Sequence, residues 1–549
     1  MKSSSMILPF TGAGTGVVPK AGLHESSHIS SASGLSEITS RTGVSCDWFT
    51  QPVDHKNVSM GTWGQQYCVS REWWAGPGSP VIIMTPGEEP LIGSVSPGRG
   101  YTFVDNTTMP GLYAQALGAA TVVLEHRYFG QSSPWDGLDS ETLQYLTTDQ
   151  AAADVVNFAQ NIVFPFDKNQ TSISPKAPWV YFGASYSGML GSWIEHFHPG
   201  VFWAFHLSSA VVEVNNDNWY YYDTIRKGIN AKRADATGSA GCSLALASVA
   251  DFADNILLAA TPNATKIDAL KNFFGATFPI ADDDFAYAIA TPFRNWQQTE
   301  GYTDVLKMCD AVVATSSFNS STPASLNATA QAILGNVPIA VQNFAAYFKQ
   351  TFLNSTCTYF DVWGQDDPLW CLNTHDMLNP FFEAQTLGNP WRTWYWFLCN
   401  EPIASWATGA PKGQPSIVSR KIDSNYWQRQ CSMHFPTLNG NMYGSAAGKT
   451  PDSLNKKTGG WLRSNTTRVI WTNGATTMSS EIRPGGPLQS TPNVPVFLMK
   501  NAEHCDDSFT AKALNNTGMT INPEVQAVQD KAVEIMARWV GQWNATKSS

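Results

Sequence analysis

The stretch Trp179-Val180-Tyr181-Phe182-Gly183-Ala184-Ser185-Tyr186-Ser187-Gly188-Met189-Leu190 decides the fold of this chain. Its first four residues, after Pro178, form a short continuous apolar run, the pattern of a strand buried on both faces. Its end opens a segment whose apolar residues, Met189, Leu190, Trp193, Ile194 and Phe197, recur at helical spacing. Between the two lies a serine on a tight turn. Such a turn strains the serine backbone, lifts its Oγ above the sheet, and aims the free N–H groups of the helix N-terminus at an oxyanion formed beside it. The usual pattern is Gly-x-Ser-x-Gly; here Ser187 stands at the second glycine and Gly188 follows. Ser185 is the better-placed nucleophile, because Ser187 is flanked two residues away by Ser185 and Met189 rather than glycines. Without its context the stretch reads equally well as a Gly/Ser-rich turn; the strand before it and the helix after it favour the elbow.

Working outward, the same rhythm continues on both sides. Residues 80–85 and 119–125 read as buried strands, 148–164 as a helix with Ala152, Val155, Val156, Ala159 and Val163 on one face, and 202–208 as a further strand. Continuous apolar strands separated by helices predict an α/β fold, a mostly parallel sheet covered on both faces. From about 210 to 455 helical patterns, aromatics and cysteines dominate, with few strand signals and no evident repeat. Residues 467–472 and 495–500 then resume the strand pattern. A final helix follows, with Asn522 as N-cap and Pro523 in its first turn, burying Val525, Val528, Ala532, Met536, Trp539, Val540 and Trp543. The expected organisation is a disordered segment 1–45, the first part of an α/β-hydrolase core over 46–209, a mainly helical cap inserted over 210–455, and the second part of the core over 456–549.

The bulk properties exclude several classes. At 549 residues, 43% hydrophobic and only 14% charged, the chain has enough apolar content for a large core plus a sizeable insertion. A net charge of −10 without a basic run argues against a nucleic-acid partner. No apolar run is long enough to span a bilayer, and the short apolar run 6–10 does not make an evident signal peptide. Ten Asn-x-Ser/Thr sequons, at Asn57, Asn106, Asn169, Asn263, Asn319, Asn327, Asn354, Asn465, Asn515 and Asn544, nevertheless predict N-glycans and a secreted or vacuole-like location. The nine cysteines point the same way; Cys242, Cys309, Cys357, Cys371, Cys399 and Cys431 fall where they could staple the insertion, and the odd count leaves one over. No pair has metal-site spacing, so neither a metal nor another cofactor is expected.

A serine nucleophile needs a base, and in this fold the histidine follows the last strand. Among ten histidines only His504, in Asn501-Ala502-Glu503-His504-Cys505-Asp506-Asp507, holds that place. His126, after an early strand, is expected to support the site rather than move the proton. For an oxyanion hole, the backbone N–H of Tyr186 is one donor, and the loop Thr85-Pro86-Gly87-Glu88 is placed to offer another through Gly87 or Glu88.

The elbow with its Met189-Leu190, the stretch Glu125-His126-Arg127-Tyr128-Phe129-Gly130-Gln131-Ser132-Ser133-Pro134, and His504-Cys505 resemble the prolyl carboxypeptidase and dipeptidyl-peptidase II family of serine peptidases, and within it secreted fungal prolyl endopeptidases. Residues 141–147, 396–402, 426–431 and 483–488 extend the resemblance over roughly Phe49 to Val540. It implies a serine peptidase with an α/β-hydrolase core and a helical cap, acting on proline-containing peptides by cleavage after proline at acidic pH. Trp396, Tyr426 and Trp427 are candidates for a proline slot, with cap packing as the equal alternative, and Glu401 for recognition of a substrate terminus. An esterase or lipase reading has only the elbow in its favour.

One departure stands out. The family carries its catalytic aspartate just after the strand that ends here at Thr472-Asn473-Gly474, whereas this chain continues Ala475-Thr476-Thr477-Met478-Ser479-Ser480-Glu481 with no aspartate. That third residue orients the histidine and stabilises the imidazolium. Glu481 is the nearest carboxylate to replace it, and Asp506 and Asp507 belong to the histidine's own loop. The alternatives are an active peptidase, a catalytically impaired member that binds proline-containing peptides, and an error in the gene reading across this loop.

Overall fold

A computed structural model describes residues 44–95, 101–233, 240–277, 280–297, 302–314, 328–353, 369–379, 382, 385, 387–403, 406–461, 466–475 and 490–547. The N-terminal segment 1–45 thus lies almost wholly outside the described residues, as does Glu481. Eight strands form one sheet in the order β1-β2-β4-β3-β5-β6-β7-β8. β1 (Val44–Pro52) and β2 (Thr62–Ser70) are an antiparallel pair joined by the disulfide Cys46–Cys68, a hairpin with no counterpart in the sequence reading. β3 (Val81–Met84), β4 (Ala120–Leu124), β5 (Trp179–Ala184), β6 (Ala204–Ser208), β7 (Val469–Gly474) and β8 (Val496–Met499) run parallel. The fold class is α/β, as the apolar strand runs predicted.

Alternation along the strands feeds two cores. Val81, Ile83, Val122, Leu124, Trp179 and Tyr181 face one side, with α2 (Thr148–Asn161) and α3 (Tyr186–Phe197). Ile82, Met84, Val123, Val180 and Phe182 face the other, against Met109, Tyr113 and Ala114 of α1 (Met109–Leu117) and Ala532, Met536, Trp539 and Val540 of the final helix (Pro523–Lys547). The helix read over 148–164 stops at Asn161: Ile162 is already extended, and Val163, expected inside, is 51% exposed. Pro165 has no N–H to give the Asn161 carbonyl four residues before it and its ring crowds that carbonyl, so the apolar periodicity outruns the helix there.

Every described element between β6 and β7 is helical. Cys242–Cys309 and Cys399–Cys431 are bonded within that region, Cys371 is also disulfide-bonded, and among the described residues the free cysteine is Cys505, buried next to His504 in the chain.

Candidate active site

Ser185 follows the last residue of β5 and caps α3 with φ 58° and ψ −126°, a conformation that non-glycine residues rarely hold. Two glycines make the turn possible. A Cβ on Gly183 would lie 2.4 Å from the Ser187 carbonyl oxygen, and one on Gly188 would lie 2.9 Å from Ala210 Cβ. The position occupied by Ser187 is different: its Oγ shares hydrogen bonds with Thr85 Oγ1 at 2.7 Å and Tyr181 Oη at 3.1 Å. The departure from Gly-x-Ser-x-Gly therefore has its own seat under the sheet edge.

The loop after β8 brings His504 to the elbow. Its Nε2 lies 2.9 Å from Ser185 Oγ, the distance at which a serine hydroxyl donates to an imidazole, and the ring is fully buried. Burial pushes the imidazole down to about 4, opposed by the Asp507 carboxylate. The loop has little room to move. Cys505 sits at φ 60° and its N–H donates to Ser209 Oγ at 3.0 Å. Gly474 ends β7 where a Cβ would lie 2.3 Å from the Ala502 carbonyl oxygen.

Gly87, at φ 69°, lies beside the elbow: a Cβ there would be 3.6 Å from Tyr186 Cδ1 and 3.7 Å from the Ser187 nitrogen. Glu88 follows, 8% exposed, its carboxyl pushed up to about 8 by burial. The Glu125-His126-Arg127 motif braces this loop. Glu125 accepts the N–H groups of Leu91 at 2.6 Å, Gln131 at 3.1 Å and Ser132 at 2.9 Å, which ties the β3 loop to the β4 loop. His126 Nδ1 lies 2.8 Å from the Arg127 carbonyl and must donate to it, so Nε2 accepts the Tyr186 hydroxyl at 2.8 Å. Arg127 is itself paired with the buried Asp154 at 2.6 Å.

Trp394 and Phe397, from one face of the helix Pro390–Asn400, set their rings 5.2 and 5.1 Å from that of Tyr186, which the His126 ring also adjoins at 5.5 Å. Trp396, on the other face of that helix, packs edge-on to Phe435. Trp427 stacks on Trp406 and donates Nε1–H to the Ala407 carbonyl, and Tyr426 packs against Tyr287 and Trp427. The structure thus places all three candidates in the packing of the helical region. Glu401 accepts from Thr148 Oγ1 at 2.8 Å and from Lys449 Nζ at 2.7 Å, which ties that region to the start of α2. Every residue from Trp394 to Phe397 is aromatic and buried, so helical periodicity in the sequence does not single out the pair facing Tyr186. No described helix is long and apolar enough to cross a membrane.

The profile of a family described as serine carboxypeptidase S28 matches residues 51–525. The chain belongs to this family. The resemblance read from the sequence is therefore borne out, and the protein is a serine-type peptidase by family. Among its relatives is a serine protease, vicPb, of Bipolaris victoriae, 34% identical over 503 residues that cover 90% of this chain and 88% of the relative. A probable extracellular serine carboxypeptidase of Arthroderma benhamiae is 28% identical over 373 residues, covering 65% of this chain and 48% of that protein. A solved proline iminopeptidase of Mycobacterium smegmatis aligns over 91% of this chain and all of its own, at a TM-score of 0.31 and 10% identity.

Proposed function

We propose that this family member hydrolyses peptides on the C-terminal side of proline, in an acidic extracellular or vacuole-like setting. Ser185 attacks the carbonyl, His504 takes its proton and returns it to the leaving amine, water activated by the same imidazole then cleaves the ester on Ser185, and the N–H of Tyr186 with one from Gly87 or Glu88 holds the oxyanion. The observation that carries the reading is the 2.9 Å Ser185 Oγ–His504 Nε2 approach at a strained elbow. Acidic action is supported by the same histidine: with its proton affinity lowered to about 4, the imidazole stays neutral, and so remains a base, in mild acid. Trp394 and Phe397 supply the apolar wall beside Tyr186 that a proline ring needs.

The test is hydrolysis of chromogenic peptides with proline, or alanine in its place, before the scissile bond, measured from acid to neutrality with Ser185→Ala as control. Release after proline, strongest in acid and lost in the variant, is the expected result. Background rates in both proteins, with a peptide still bound, would point to the impaired, peptide-binding member instead.

A further inference from the structure

Three residues beyond His504 lies a carboxylate that the Ser185–His504 pair does not use. Asp507 is fully buried on the turn Asp506–Ser508. Its Oδ1 accepts from Ser208 Oγ at 2.6 Å, its Oδ2 accepts from Thr472 Oγ1 at 2.6 Å, and His206 Nε2 lies 3.2 Å away. Ser208 and Thr472 are paired neighbours on β6 and β7, and Ser208 also pairs with Ala184, which precedes Ser185. Asp507 is therefore anchored to the sheet edge that carries the elbow.

The protons in this network can be assigned. Thr472 spends its hydroxyl proton on Asp507, so its oxygen accepts from His206 Nε2–H at 3.0 Å, and the Tyr113 hydroxyl meets His206 Nδ1 at 2.7 Å. Burial raises the Asp507 carboxyl, but the hydrogen bond and electrostatic attraction of His206, with the hydrogen bonds from Ser208 and Thr472, outweigh it and hold it below the usual range. The other groups around the loop do not compete in acid. Glu503 is paired with Lys232 at 2.7 Å, Glu88 is pushed up to about 8 by burial, and Asp506 is pushed up by burial and by Glu503. Cys505 is a buried thiol held neutral, and the final helix contributes the uncharged Gln529, which donates to the Asp507 backbone carbonyl at 2.9 Å.

We infer that Asp507, locked by Ser208, Thr472 and His206, is a positioning residue for His504, its buried charge stabilising the imidazolium formed when Ser185 gives up its proton. The inference rests on the Ser185–His504 pair of the proposed function, and not on specificity for proline. It assigns an electrostatic role to a residue outside the loop where the resemblance places the triad acid.

The decisive variant is Asp507→Asn, which keeps the shape and removes the charge. The readouts are kcat, KM and the rate of Ser185 labelling by a fluorophosphonate, each across pH. A buried opposite charge on the same turn as an imidazole is worth roughly one to two pH units. The expected result is a fall of about 10- to 100-fold in kcat and in labelling, KM little changed, and the acid limb displaced about one unit to lower pH, because the imidazolium has lost its counter-charge. Glu481→Gln is compared in parallel, and Gln529→Leu disturbs the same turn without touching charge, so it is expected to leave the limb in place. If Asp507→Asn fails to fold, Thr472→Val strips one donor from the carboxylate, and the expected loss is greater near pH 5 than near pH 7. An acid limb unmoved in Asp507→Asn, or an equal loss at both pH values in Thr472→Val, overturns the inference. Wild-type protein that the probe does not label at Ser185 overturns the base reading and this inference with it; normal labelling with an unmoved limb removes only the inference.

Discussion

The two halves of the site are built differently. The elbow is local: Gly183, Ser185, Ser187 and Gly188 lie within six residues, and the strain at Ser185 is made possible by neighbours in sequence. The His504 loop is held from elsewhere, by Ser209 after β6, by the bare backbone of Gly474 at the end of β7, and by a carboxylate network that reaches Tyr113 on α1. A local device is defined by short-range sterics and is visible as a motif. A long-range device needs the sheet to be assembled before its parts meet.

Removing the reacting atoms tests whether the two halves act as one unit. Ser185→Ala and His504→Ala should each lower turnover by ~10⁴-fold or more, and the double variant should lose little beyond either single one. Additive losses would show that the 2.9 Å contact is not a working pair.

The glycines sharpen the comparison. Gly183→Ala drives a methyl group into the elbow's own backbone, and Gly474→Ala drives one into the backbone that leads to His504. Each should cost about 1–3 kcal/mol, read from denaturant unfolding. A shift of an ångström in either half should cost about 10²-fold in rate. An active, stable Gly474→Ala would show that the histidine loop is less constrained than its contacts imply.

Stability against pH separates charge from packing. Glu88 and Glu125, raised by burial to about 8 and about 7, keep protons in the folded chain that the unfolded chain has released. Raising the pH through that range therefore favours unfolding. His504 and His126, lowered to about 4 by burial, act in the opposite sense, but only between about 4 and the usual histidine value near 6.5. Above that value only the carboxyls remain, so Tm should fall between about pH 6.5 and 8, and Glu88→Gln should flatten the fall. A Tm that rises over this interval would show that these carboxyls are ionised in the folded chain.

The smallest effect expected is that of Tyr186→Phe. It removes the hydroxyl that meets His126 Nε2 and should cost about 1 kcal/mol in stability, with the Ser185–His504 contact intact. A loss of rate as large as that of the glycine variants would make the Tyr186 hydroxyl part of the chemistry.

Strand runs, the elbow, His504 and the supporting place of His126 were legible because each depends on residues adjacent in sequence or on chain order. The hairpin β1–β2 was not, since polar positions interrupt its apolar ones and cross-strand pairing is not a sequence period. Trp394 and Phe397 were hidden inside a run of buried aromatics, whereas Trp396, Tyr426, Trp427 and Glu401 drew attention by type and by resemblance. Asp507 looked like one acidic residue of a loop pair. Its difference from Asp506 lies in its partners: Asp507 receives hydroxyl donors from β6 and β7, while Asp506 lies against Glu503 and accepts that residue's N–H at 2.8 Å.

The amino-acid sequence by itself determined the α/β class, the serine on its turn and the family, because apolar periodicity, glycine sterics and motif order are properties of contiguous residues. Only the tertiary structure decided that His504 meets Ser185 and that Asp507, unlike Asp506, is held low in proton affinity. Burial and hydrogen-bond partners set proton affinity, and both arise when residues hundreds of positions apart are packed against the same sheet edge.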